Sequence, residues 1–135
     1  MSRQRNNTST NTPFSNYLYN FNGSTKVVMT IHNLDYMIVN YQLKKIMLIE
    51  EKRFNSELTY PQVEAFKIIN GFMSTGNFDG YEYCGFHQLI FENTLPTDGK
   101  MTWDNVPIDE EKLTEILDFK ANKVWYETLP KFRKL

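Results

Sequence analysis

Three side chains stand at spacings that could carry out phosphoryl chemistry: Asp35, Glu50 and Lys52, within the stretch NLDYMIVNYQLKKIMLIEEKRF. Two apolar runs in it, DYMIVNY and KIMLIEEK, are rich in Val, Ile, Met and Tyr and read as β-strands. The residues between them read as the turn of a hairpin. A two-residue loop at Gln42 and Leu43 pairs Tyr41 with Lys44, and a four-residue loop over 41–44 pairs Asn40 with Lys45. Either loop sets Asp35 directly opposite Glu50, with Cβ atoms about 5 Å apart; a three-residue loop would not. Side chains alternate along a strand, so Glu50 and Lys52 share a face with Asp35 while Glu51 points to the other.

Two carboxylates directly opposed across a hairpin are unfavourable, and a divalent cation between them reverses the sign. Hard oxygen ligands at that separation suit Mg²⁺, which uses one or two carboxylates together with water and substrate phosphate. An ammonium on the same face can hold a water or a phosphate oxygen. Carboxylates, cation and ammonium together supply what hydrolysis of a phosphodiester needs: an acidified water and neutralised charge at phosphorus. The competing reading is a solvated hairpin end with a surface Glu-Glu-Lys.

The elements that position these residues follow from pattern. Phe14, Tyr17, Leu18 and Phe21 recur at i, i+3, i+4 and i+7 and predict a short amphipathic helix, ended by Asn22-Gly23-Ser24. TKVVMTIHN predicts a strand ahead of the hairpin. After it, TYPQVEAFKIINGFM predicts a helix capped by Thr59 or Tyr60, with Pro61 in its first turn and Ala65, Ile68, Ile69, Phe72 and Met73 as its apolar stripe. Gln62 starts the face turned toward the sheet. Its amide could contact Lys52, a water or a nucleic-acid backbone, or it could form a capping box with Thr59. YEYCGFHQLIFE predicts a long strand with a break at Gly85, MTW a short strand, and DEEKLTEILDFK a helix with acids in its first turn. The expected order is α-β-β-β-α-β-β-α, an α/β domain with a mixed sheet. Residues 1–13 read as a flexible arm, 14–135 as a single domain, and 120–135 as a packed C-terminal appendage.

Composition narrows the classes. The chain has 135 residues, 41% hydrophobic and 15% aromatic, which fits one globular domain. Its net charge of −1 is not the balance of a protein that binds nucleic acid mainly by neutralising phosphates. Cys84 is the one cysteine, so neither an intrachain disulfide nor a cysteine zinc cluster can form. An intracellular, cytoplasmic setting is the natural expectation. No run approaches the ~20 apolar residues of a membrane span. The remaining candidates read as structure: His32 as a polar strand-edge residue, His87 as a packed histidine alternating with Leu89 and Phe91, and Cys84 as core.

An Asp, a spacer of fourteen residues, then Glu-x-Lys at the end of an apolar strand resembles the PD-(D/E)XK, or restriction-endonuclease-like, nuclease superfamily. The order helix, three-stranded meander, helix, strand over roughly residues 14–92 is similar to that family's α-β-β-β-α-β core, here with a C-terminal helical extension. The resemblance implies Mg²⁺ or Mn²⁺ held by Asp35 and Glu50 with the backbone carbonyl of Glu51, and a catalytic Lys52 that helps activate water. It implies a counterpart for Gln62 in the glutamine that several branches carry on the following helix. The implied activity is a metal-dependent nuclease, an endonuclease in class terms, acting on DNA, with RNA left open as a substrate and a homodimer expected where two strands are cut. The alternative is a catalytically inactive nuclease-like subunit that binds nucleic acid or protein. Three departures stand out: Leu34 precedes Asp35 in place of proline, residues 1–34 contain no Asp or Glu, and Phe66 stands four positions after Gln62 where the RecB-like motif has tyrosine.

Overall fold

The structure is a computed structural model that describes residues 12–25 and 30–132. The chain divides into two compact units, Met1–Asn33 and Leu34–Leu135. In the first, helix α1 spans Pro13–Thr25. Thr12 Oγ1 accepts the Ser15 N–H at 3.0 Å, which satisfies one of the free donors of the first turn. The Phe14 and Tyr17 rings stack at 6.0 Å, as residues three apart on a helix can. The helix continues through Asn22-Gly23-Ser24, where the sequence predicts its end. Of the strand expected over 25–33, residues 26–29 lie outside the described residues and Thr30–Asn33 are not in a strand. Most of the expected arm, residues 1–11, also lies outside them.

The second unit contains β1 (Tyr36–Asn40), β2 (Lys45–Lys52), α2 (Tyr60–Thr75), β3 (Glu82–Phe91), β4 (Met101–Trp103), β5 (Val106–Ile108) and α3 (Glu110–Leu117). Two 3-10 turns follow at Lys123–Tyr126 and Pro130–Phe132. The sheet has five strands in the order β1-β2-β3-β4-β5. Only β2 and β3 run parallel, joined by α2 as a parallel pair requires; the other neighbours are antiparallel. The protein is thus an α/β protein, with a five-stranded mixed sheet and three α-helices among the described residues. β5 was not expected from sequence, because Pro107 demotes a strand reading. It survives as an edge strand, behind a two-residue turn in which Asp104 (φ 51°) and Asn105 (φ 68°) both adopt the left-handed conformation that a tight hairpin needs.

The sheet separates two apolar layers. On one side Leu48, Phe66, Phe86 and Phe132 pack together; on the other Met47, Ile49, Leu89, Phe91, Met101 and Trp103 pack with Leu113 and Ile116 of α3. Helix α2 faces the first layer through Val63, Phe66, Ile69, Asn70 and Met73. This corrects the predicted stripe, since Ile68 and Phe72 are exposed. The stripe is rotated because Asn70 is buried: its Oδ1 accepts from Tyr83 Oη at 2.7 Å and its amide donates to the Phe132 carbonyl. That bond ties the C-terminal segment to α2, and the fully buried Phe132 ring lies 5.0 Å from Phe86. Burial of one such ring is worth about 2 kcal/mol, so the segment closes the core.

His87 is packed, as its alternation suggests. Its ring stacks on Trp103 at 4.7 Å, Nδ1 faces Asp104 Oδ2 at 2.6 Å and Nε2 faces the Cys84 carbonyl at 2.6 Å. Both ring nitrogens thus face oxygen atoms, which fixes the plane of the ring. The break expected at Gly85 is a bulge: Ile46 pairs with Tyr83 but Leu48 pairs with Phe86. Gly85 has φ 90°, which suits glycine.

Candidate active site

The hairpin has the four-residue loop, with Asn40 paired to Lys45 and Tyr36 to Ile49. The next step along this register sets Asp35 opposite Glu50, the arrangement read from the sequence. Asp35 lies just ahead of β1, where the strand ladder ends, and its carboxylate continues the pairing. Asp35 Oδ2 accepts the Glu51 N–H at 2.8 Å, and the Asp35 N–H donates to Glu50 Oε1 at 3.4 Å. Each acid is held in part by the other's strand.

The two carboxyl groups differ in surroundings. Glu50 is 4% exposed. Burial first, then the charge of Asp35, pushes its carboxyl from the ordinary 4.5 up to about 8, although Lys52 pulls it down. A hydrogen bond between the two carboxyl side chains acts in the raising direction too. Glu50 therefore holds its proton more tightly than an ordinary carboxyl does. Glu51 points to the opposite face, as strand parity requires. There its carboxylate accepts from Tyr36 Oη at 3.2 Å and pairs with Arg53 Nε at 3.3 Å.

Lys52 and Gln62 are brought together by the start of α2. Thr59 is the helix N-cap, and Gln62 closes a capping box: Gln62 Oε1 accepts the Thr59 N–H at 2.9 Å, and Thr59 Oγ1 accepts the Gln62 N–H at 3.4 Å. The same Gln62 Oε1 accepts from Lys52 Nζ at 3.2 Å. The two roles left open by sequence are combined in one oxygen. An ammonium has three donors, so Lys52 keeps donors for a water or a phosphate oxygen.

Sequence reasoning missed Gln88. It is the register partner of Glu50 across the parallel β2–β3 pair, so the two side chains stand on the same face. Gln88 is 1% exposed, and its Oε1 has no hydrogen-bond partner among the described residues. Its backbone is fixed on both sides by Asp104: the Gln88 N–H donates to Asp104 Oδ1 at 2.8 Å and the Asp104 N–H to the Gln88 carbonyl at 2.9 Å. Apolar-strand reading treats a glutamine in such a run as a solvent-facing residue, and only the pairing of β2 with β3 brings it to the acids.

His32 belongs to the first unit, where its Nε2 is 2.9 Å from Thr30 Oγ1. Cys84 is buried, and burial pushes its thiol up to about 11, away from thiolate reactivity. Among the described residues, no three His, Cys, Asp or Glu side chains gather as a metal-binding group. Asp35 and Glu50 supply two carboxylates, hard oxygen donors of the kind that Mg²⁺ or Mn²⁺ takes together with water. A buried carboxyl, Glu50, opposed to an exposed one, Asp35, is the kind of acid pair such a cation would satisfy.

Fold and site together define an α/β protein carrying a paired-carboxylate and lysine cluster at the carboxyl ends of its parallel strands. No family model, curated protein or solved structure matches the chain. No helix among the described residues is long and apolar enough to cross a membrane.

Proposed function

We propose that this protein is a metal-dependent nuclease of the PD-(D/E)XK type that hydrolyses phosphodiester bonds in DNA. The observation that carries this reading is the reciprocal hold between Asp35 and Glu50, with the Glu50 carboxyl buried and its pKa raised and Lys52 on the same face. A structural hairpin end would leave an acid at the position of Glu50 solvated and near its ordinary pKa.

Asp35 and Glu50 would hold Mg²⁺ or Mn²⁺ together with the Glu51 carbonyl. When bound, the ion would acidify a water and neutralise charge growing on the phosphoryl oxygens. Lys52 orients that water or a non-bridging phosphate oxygen with its remaining N–H groups, while Gln62 fixes the direction of its side chain. The water oxygen gives up a proton to solvent and forms the new P–O bond as the P–O bond to the leaving oxygen breaks, and the leaving oxygen takes up a proton from solvent. The Glu51 N–H holds the Asp35 carboxylate in place beside Glu50.

The test is cleavage of supercoiled, linear and branched DNA, and of labelled RNA, with Mg²⁺ or Mn²⁺ and with EDTA as control. Metal-dependent cutting that is lost in Glu50→Ala and Lys52→Ala supports the reading. DNA binding without cleavage under every metal condition would replace it with an inactive, nucleic-acid-binding subunit.

A further inference from the structure

Gln88 presents a buried polar atom with no partner among the described residues, and its place in the sheet gives that atom a direction. Asp35, Glu50 and Gln88 occupy one row across three neighbouring chain segments. Asp35 and Glu50 are opposed through the β1–β2 register, and Glu50 and Gln88 through the β2–β3 register. All three project on the α2 side of the sheet, since Leu48 and Phe86, one step earlier along the same face, both pack against Phe66. Buried polar groups are nearly always paired, and each exception calls for an explanation. Whichever way the amide is turned, one of its two polar atoms meets this condition.

We propose that Gln88 supplies a third side-chain oxygen to the divalent cation site of Asp35 and Glu50. This rests on the reading of that acid pair as a cation site. A carboxamide oxygen is a hard, neutral donor of the kind Mg²⁺ and Mn²⁺ accept. Two carboxylates already balance a divalent charge, so a neutral third ligand adds coordination without adding repulsion. The double bond from Asp104 to the Gln88 backbone fixes the height of the amide above the sheet. A ligand built on a strand locked in this way is pre-organised, which lowers the ordering cost of binding.

The experiment is Mn²⁺ binding to the full chain, followed by electron paramagnetic resonance of free Mn²⁺ and by the Mn²⁺-induced rise in melting temperature, for wild type, Gln88→Leu, Gln88→Glu and Asp35→Asn. Circular dichroism establishes that each variant is folded. Gln88→Leu is expected to be as stable as wild type in EDTA, because it removes an unpaired buried polar atom. It is expected to weaken Mn²⁺ binding by about 10- to 100-fold, whereas Gln88→Glu, which keeps the oxygen, retains binding. Should Gln88→Leu fail to fold, Gln88→Met, of similar length and without a hard oxygen, takes its place with the same expectation. If Asp35→Asn loses Mn²⁺ while Gln88→Leu or Gln88→Met binds it as wild type does, Gln88 is no ligand and the acid-pair reading stands. If wild type binds no Mn²⁺, both readings fall.

Discussion

The Glu51 N–H donates to Asp35 Oδ2 at 2.8 Å, so the first acid of the site is held by the backbone of the second acid's strand. This bond separates two ways of altering Asp35. Asp35→Asn keeps an acceptor oxygen for Glu51 and removes the repulsion from Glu50. The metal-free variant should match wild type or exceed it by up to about 1 kcal/mol. Asp35→Ala leaves the N–H without its acceptor and should cost about 1 kcal/mol. Mn²⁺ should raise the melting temperature of wild type and of neither variant, because only a ligand that binds the native state stabilises it. Thermal melts in EDTA and in Mn²⁺ measure both effects; an Asp35→Asn protein that responds to Mn²⁺ like wild type would exclude Asp35 as a ligand.

Glu50 makes metal-free stability depend on pH in a defined direction. Its folded pKa, about 8, lies above the ordinary 4.5, so the native state binds the proton more tightly than the unfolded chain does. The resulting stabilisation is complete below pH 4.5 and is lost as pH rises through 8. Urea unfolding in EDTA should show wild type losing roughly 2–4 kcal/mol between the two ends of that window relative to Glu50→Gln, which cannot ionise. Equal slopes for the two proteins would show that Glu50 is not held protonated. Mn²⁺ should flatten the wild-type curve, since the ion takes the place of the proton.

Gln62 joins a helix cap to Lys52, and substitutions can divide the two roles. Gln62→Glu preserves the capping box and should keep wild-type stability, whereas Gln62→Ala should lose about 1 kcal/mol. Both alter the environment of Lys52 and should slow cleavage, by less than Lys52→Ala, for which a loss of about 100-fold or more is expected. Glu51→Gln should be mild, because that side chain lies on the opposite face with Arg53 and Tyr36. Side-by-side cleavage rates and melts check the set; a loss in Glu51→Gln equal to that in Glu50→Ala would contradict the facial assignment.

Gly85 should be the least replaceable glycine of the sheet. A Cβ there would lie 2.7 Å from Thr128 Oγ1, 2.7 Å from the Tyr126 carbonyl and 2.8 Å from His87 Nε2, at a backbone φ of 90°. Two separate costs, steric overlap and left-handed strain, act together. Gly85→Ala should destabilise by about 3 kcal/mol or more, read as a fall in the denaturation midpoint at unchanged m-value. Gly80, also at positive φ but with open space around it, should cost about 1 kcal/mol as alanine.

The hairpin was legible because two loop lengths share one register, so the pairing of Asp35 with Glu50 did not depend on choosing the turn. The start of α2 was legible from Thr59, Pro61 and Gln62, whose types carry local hydrogen-bond chemistry. What escaped was set by long-range partners. Asn70 is polar, yet it is buried by Tyr83 and the Phe132 carbonyl, and this rotates the helix away from the stripe that Ile68 and Phe72 suggest. Pro107 hides β5, which exists because an edge strand has a free side for a residue without an N–H. Gln88 could be placed beside Glu50 only after the parallel pairing was known, and the bulge at Gly85 hides that pairing from any count of residues.

The bulge also fixes the composition of the row. Between the pairs Ile46–Tyr83 and Leu48–Phe86, β3 uses one residue more than β2. With strands of equal length there, Glu50 would border an imidazole, and the amide of Gln88 would turn to the layer that holds Trp103. A single inserted residue, three positions upstream, therefore acts as a selector: it sends the ring of His87 into the α3 layer against Asp104 and delivers a neutral carboxamide to the acids. Straightening the bulge with every residue kept would exchange the carboxamide beside Glu50 for an imidazole without changing any side chain of the site.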